Sequence, residues 1–146
     1  ECDFDLDNMA RLFRMADFPV VCANYDVSAT VLKDLVKPYV VFERDGVKIG
    51  VLGLGCQLEG MVQANKCVGV VYNDPVTVAN EVAAVLKEKE GCDVVVCLSH
   101  LGVQYDENQL IPKTRNIDVV LGGHSHTFMK ANHFIFPFSN TLEKEK

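Results

Sequence analysis

At 146 residues, 49% of them apolar, the chain has the size of one ordinary domain and enough material to bury a core. Its 14 basic residues are outnumbered by 20 acidic ones, a net charge of -6, and are scattered rather than gathered into a stripe, which argues against duplex nucleic acid as a partner. No uncharged apolar run approaches the roughly 20 residues that span a bilayer, so no membrane span is expected within the chain.

The apolar residues Leu6, Met9, Ala10, Phe13 and Ala16 recur at three- and four-residue spacing, which predicts an amphipathic helix over Asp5 to Asp17 with acids at its front end. Pro19 ends it, and Val20 to Asn24 reads as a short buried strand. Tyr39 to Glu43 and Val47 to Leu54 are β-rich and joined through Arg44, Asp45 and Gly46, which predicts an antiparallel hairpin. Gly53 to Gly55 permit a sharp turn after it. Gln57 to Tyr72 is irregular.

Asn73, Asp74 and Pro75 form a helix start, with a buried stripe of Ala79, Val82, Ala83 and Leu86 and a stop at Gly91. Asp93 to Leu98 is an almost continuous apolar strand of the kind covered on both faces. A weaker helix lies between Asp106 and Arg115, limited by Pro112, and Ile117 to Leu121 is another buried strand. Strands alternating with helices imply parallel pairing through right-handed crossovers. The last residues, 141–146, are charged and expected to fray.

Six cysteines stand at positions 2, 22, 56, 67, 92 and 97 without close pairs, and Cys22 and Cys97 read as small buried hydrophobes rather than ligands. The histidines are more informative. His100 follows one predicted buried strand, and His124 and His126 follow the next, after Gly122 and Gly123. Carboxyl ends of neighbouring parallel strands open on one crevice, and neutral imidazole is the commonest side-chain nitrogen ligand for transition metals. The three imidazoles could converge on a metal. A lone histidine at a strand end is more often a hydrogen-bonded structural residue; it is the combination, with the glycine pair, that raises the metal reading to even terms. His133, among three phenylalanines, reads as structural or surface.

Cys97-Leu98-Ser99-His100-Leu101-Gly102 and Gly122-Gly123-His124-Ser125-His126-Thr127 resemble the two downstream metal-ligand motifs of calcineurin-like metallophosphoesterases, in the form of the 5′-nucleotidase branch. Lys37-Pro38-Tyr39 and the run from Asp45 to Leu54 are similar to that branch as well. The match extends from Glu1 to about Phe128, leaving residues 129–146 as a divergent tail. The opening Glu1-Cys2-Asp3 is similar to the end of the family's Gly-Asn-His-Glu-x-Asp motif, with cysteine where an aromatic residue is common.

The resemblance implies an α/β, layered metallophosphoesterase fold of two packed mixed β-sheets flanked by helices. It also implies that the front strands, which carry the family's earlier ligands and catalytic histidine, precede Glu1 and are absent from these 146 residues, so that the chain is a truncated catalytic domain. It further implies two divalent metal ions (Mn, Zn or Fe) in the parent. His100 and His124 would serve one ion and His126 the other, while Asp3 would orient the family's catalytic histidine. From its own position, Asp3 reads first as an acid at the start of the first helix, and only the motif resemblance raises the orienting role. Asn24 reads as a turn or cap residue rather than a ligand.

The implied reaction is in-line hydrolysis of a phosphate ester, with a nucleoside monophosphate as substrate and the parent protein periplasmic, secreted or at the cell surface. The isolated chain is expected to be inactive, and an exposed sheet edge suggests either a homodimer or low stability. Two alternatives stand beside this reading: a non-catalytic remnant or metal-binding module, and a hydrolase of cyclic nucleotides or nucleotide sugars.

Overall fold

A computed structural model describes residues 4–129. Asp3 and His133, singled out from the sequence, lie outside the described residues. The first helix, α1 (Leu6–Met15), is capped by Asp5, whose carboxylate accepts the Asn8 amide at 2.6 Å. Its apolar stripe packs Ala10 against Val27 and Leu32, with Met9 and Phe13 alongside, in a small core of its own. The expected strand from Val20 to Asn24 is shorter than predicted: β1 (Val20–Val21) is followed by β2 (Tyr25–Asp26), and Asn24 lies between them.

Next come β3 (Val36–Lys37), β4 (Tyr39–Arg44) and β5 (Val47–Gly55). The hairpin forms as predicted, with Arg44 opposite Val47. Its two turn residues, Asp45 and Gly46, both have positive φ (52° and 81°), the backbone twist a two-residue hairpin requires. Gly53 and Gly55 do not make a sharp turn; they lie within β5 because other chain segments pack closely there. A Cβ on Gly53 would fall 2.2 Å from the Val21 carbonyl oxygen.

After β6 (Val71–Tyr72), which pairs antiparallel with β2, comes α2 (Pro75–Ala84), continued by a π-helical turn (Val85–Lys89). The predicted cap is present: the Asp74 carboxylate accepts both the amide and the hydroxyl of Thr77, at 2.8 and 2.7 Å. Ala79, Ala83 and Leu86 are buried, Val82 packs against them from the rim, and Gly91 turns the chain with φ 69°.

Strand β7 (Val94–His100) leads into α3 (Val103–Tyr105), a π-helical turn (Asp106–Leu110) and α4 (Ile111–Lys113), which run on without a break. This helical segment starts three residues earlier than expected and ends at Lys113, one residue after Pro112, in keeping with the limit the proline sets on its length. The last strand, β8 (Val119–Gly122), begins two residues later than predicted because the Asp118 carboxylate turns back to accept the Val95 amide at 2.7 Å.

These elements form a mixed α/β structure with several sheets. The largest has the order β4-β5-β7-β8, antiparallel in the hairpin and parallel from β5 onward, as the strand and helix alternation implies. One face, with Leu52, Leu54, Val95 and Cys97, packs under α2 and the Leu110 turn. The other face of β7 is not fully covered, contrary to the reading of a doubly buried strand: Leu98 is 40% exposed and Leu121 on β8 is 56% exposed. An apolar run reports burial in sum, and here the burial comes mainly from one side.

Candidate metal centre

Ser99 pairs with Gly122 in the β7–β8 ladder, so the two strands deliver His100 and the Gly123-His124 pair to one end of the sheet. The imidazoles of His100 and His124 stand edge to face, ring centroids 5.0 Å apart and planes 69° from each other. With metal–nitrogen bonds of about 2.0–2.1 Å and near-tetrahedral angles, two imidazoles on one ion place their centroids about 5 Å apart. The spacing and the donor chemistry therefore fit one shared ion.

Backbone geometry around the pair is specialised. His124 and His126 both have positive φ, 73° and 52°, a region that non-glycine residues enter at a cost of about 1–3 kcal/mol and that clusters at functional sites. Gly123 leaves no room for a side chain: a Cβ on it would lie 3.2 Å from His100 Nδ1 and 3.5 Å from the Ser99 carbonyl oxygen. The loop is also stitched to the turn after β7, since the Val103 amide donates to Ser125 Oγ at 3.2 Å, and Ser125 Oγ lies 2.9 Å from Thr127 Oγ1.

Among the described residues no group of three or more His, Cys, Asp or Glu side chains comes together closely enough to hold an ion, so His100 and His124 meet as a pair and His126 does not join them. Asn24 is fully buried and faces structure rather than solvent. Its Oδ1 accepts the Gly55 amide and its Nδ2 donates to the Gly55 carbonyl, each at 2.8 Å, while its own carbonyl accepts the Asn73 amide at 2.8 Å. It clamps the end of β5 to the approach of α2, which agrees with the structural role read from the sequence. Five described cysteines are free thiols, and burial pushes the Cys97 thiol up to about 12, out of range as a ligand at neutral pH.

Two residues near the site carried no signal of their own in the sequence reading. Ser99 Oγ donates to Asp106 Oδ1 at 2.6 Å, and both side chains are buried, 5% and 4% exposed. Burial pushes the Asp106 carboxyl above the usual range, against the Ser99 hydrogen bond, which lowers it. The available signal was an acid on the same helical stripe as Leu110, four residues on, where an apolar residue would be expected. Beside His100 a cleft of about 340 Å³ opens between α1 and the partly covered face of the sheet, walled by Met9, Phe13, Val21, Tyr25 and Leu98.

No family model matches the chain. It is 30% identical over 138 residues to the 5′-nucleotidase of Vibrio cholerae, covering 86% of the chain and 25% of that protein. Among solved structures it superposes on a 5′-nucleotidase precursor from Thermus thermophilus with a TM-score of 0.80 and 30% identity, over 90% of this chain and 26% of that one. It also superposes on the calcineurin-like phosphoesterase YfkN from Bacillus subtilis with a TM-score of 0.74 and 28% identity, over 87% and 43%. The chain spans between 9% and 25% of the length of the curated relatives it matches first. Over most of its length the chain is thus a homologue of proteins named 5′-nucleotidase and calcineurin-like phosphoesterase, and its described residues share the mixed α/β fold of the latter.

Proposed function

We propose that the chain is the histidine-bearing part of a metal-dependent phosphoric ester hydrolase that releases phosphate from nucleoside monophosphates. The observation that carries this reading is the approach of His100 and His124 at the ends of adjacent parallel strands, within the motifs that resemble the family's ligand motifs. On this reading the pair holds one divalent ion (Mn, Zn or Fe), and His126 contributes to a second. Such ions supply Lewis acidity that orients a phosphate and neutralises charge on the attacking and leaving oxygens.

This chain's own residues hold and aim the imidazoles: the left-handed backbone at His124 and the close packing of Gly123 under His100 fix where they point. Asp3 belongs to the proposal as the acid that orients a catalytic histidine. The remaining ligands of a dinuclear centre would come from residues outside the 146. Periplasmic, secreted or cell-surface location of the parent protein belongs to the same reading; no described helix is long and apolar enough to cross a membrane.

Two measurements test it. The 146-residue chain should bind Zn2+ or Mn2+, and either His100→Ala or His124→Ala should abolish the binding. Phosphate release from a nucleoside monophosphate by this chain should not exceed that of the metal alone; release above that level, lost in His124→Ala, would overturn the expectation that three imidazoles are too few. A second reading is a non-catalytic module holding a single ion, in keeping with the finding that no group of three or more His, Cys, Asp or Glu side chains that could hold a metal gathers among the described residues. Metal stoichiometry in the parent protein separates the two, because a dinuclear hydrolase requires two ions. Cyclic nucleotides and nucleotide sugars are the substrates to assay beside nucleoside monophosphates.

A further inference from the structure

Asp106 is the one acidic side chain buried among the described residues. A carboxylate taken out of water is costly, and an apolar residue of similar volume would serve a core at least as well. What distinguishes its position is reach. One oxygen, Oδ1, accepts the Ser99 hydroxyl at 2.6 Å. The Ser99 oxygen in turn accepts the Leu101 amide at 3.3 Å, so the residues on both sides of His100 are tied to this carboxylate. The other oxygen, Oδ2, lies against β8, where a Cβ on Gly122 would come within 3.0 Å of it. Gly122 is followed directly by Gly123 and His124. Asp106 is also anchored through its backbone, its amide donating to the Gly102 carbonyl at 2.9 Å.

We propose that Asp106 is a positioning residue for the candidate metal pair: it links the ends of β7 and β8 through Ser99 and Gly122 and so sets the separation of His100 and His124. It acts through the strand ends that carry the two imidazoles. The inference rests on the reading of that pair as metal ligands, but the juxtaposition it explains can be measured without metal.

The test compares the wild-type 146-residue chain with Asp106→Ala, Asp106→Leu, Asp106→Asn and Ser99→Ala. Two readouts are taken: nuclear Overhauser contacts between the His100 and His124 rings in metal-free protein, and Zn2+ affinity by calorimetry, with circular dichroism to confirm folding. Asp106→Ala, Asp106→Leu and Ser99→Ala should lose the ring-to-ring contact and bind Zn2+ about 10- to 100-fold more weakly, the usual loss when a ligand's supporting partner is removed. Asp106→Asn, whose carbonyl can still accept the Ser99 hydroxyl, should keep the contact and stay within about threefold of wild type.

A folded Asp106→Leu or Ser99→Ala protein with wild-type ring contacts and affinity would overturn the proposal. So would absence of the ring contact in the wild type. If Asp106→Ala does not fold, Ser99→Ala decides, because it removes a single hydroxyl. If the wild type keeps the ring contact but binds no Zn2+, the metal reading fails, and the ring contacts of the variants alone decide whether Asp106 positions the pair.

Discussion

Gly123 passes so close beneath His100 that a single added carbon would sit 3.2 Å from its Nδ1. The contact joins residues from two different strand ends and explains why the bulk of a side chain is absent just before His124. Gly123→Ala is expected to push the His100 ring off its place opposite His124 and to weaken Zn2+ binding about tenfold, with little change in melting temperature. Calorimetric titration of the variant beside the wild type checks this; equal affinities would show that the ring has room to yield.

Asn24 satisfies both the amide and the carbonyl of Gly55 from a position with no solvent access. Truncation leaves those backbone groups unpaired in the interior. Asn24→Ala should therefore cost about 2–3 kcal/mol in urea unfolding, whereas Leu98→Ser, on the partly covered face, should cost less than about 1 kcal/mol. Comparable losses at the two positions would count against the clamp.

The cap of α2 carries a pH signature. Hydrogen bonds from the Thr77 hydroxyl and amide hold the Asp74 carboxyl below its ordinary 3.8. A lowered folded-state value means that the stabilisation is present above the unfolded value and is lost as the pH falls through the folded one. Asp74→Ala should cost about 1 kcal/mol at neutral pH. The gap between variant and wild type should close as the pH drops below 3.8, which thermal unfolding across an acid series would follow.

The thiols should separate kinetically. Cys97 is inaccessible in the core, and burial, reinforced by the Asp106 charge, pushes its thiol up to about 12. Cys67 lies half-buried in the loop between β5 and β6. Iodoacetamide at mildly alkaline pH should modify Cys67 in the folded protein and leave Cys97 untouched until the chain is denatured. Early modification of Cys97, followed by peptide mapping, would indicate that the sheet opens readily.

Features that depend on near neighbours in the chain were legible from residues alone. The α1 stripe, the Asp74 cap with Pro75, the Asp45-Gly46 turn and the order of strands and helices all follow from local preference and hydrophobic period, and the structure bears them out. The histidine motifs after the two strands were legible too, because their residues are adjacent in the chain. Tertiary structure decided the rest. Whether β7 is covered on one face or two depends on which elements pack over it, and an apolar run cannot report that. By residue type Gly53 suits a turn, but it lies within β5 with Val21 packed against it. Asp106 looked like any polar residue on a weak helix; only the folding of that helix over the ends of β7 and β8 buries it, bonds it to Ser99 and brings it against Gly122. Sequence sets periodicity and chemistry within a few residues, and long-range contacts, which order the ends of separate strands, come only from packing.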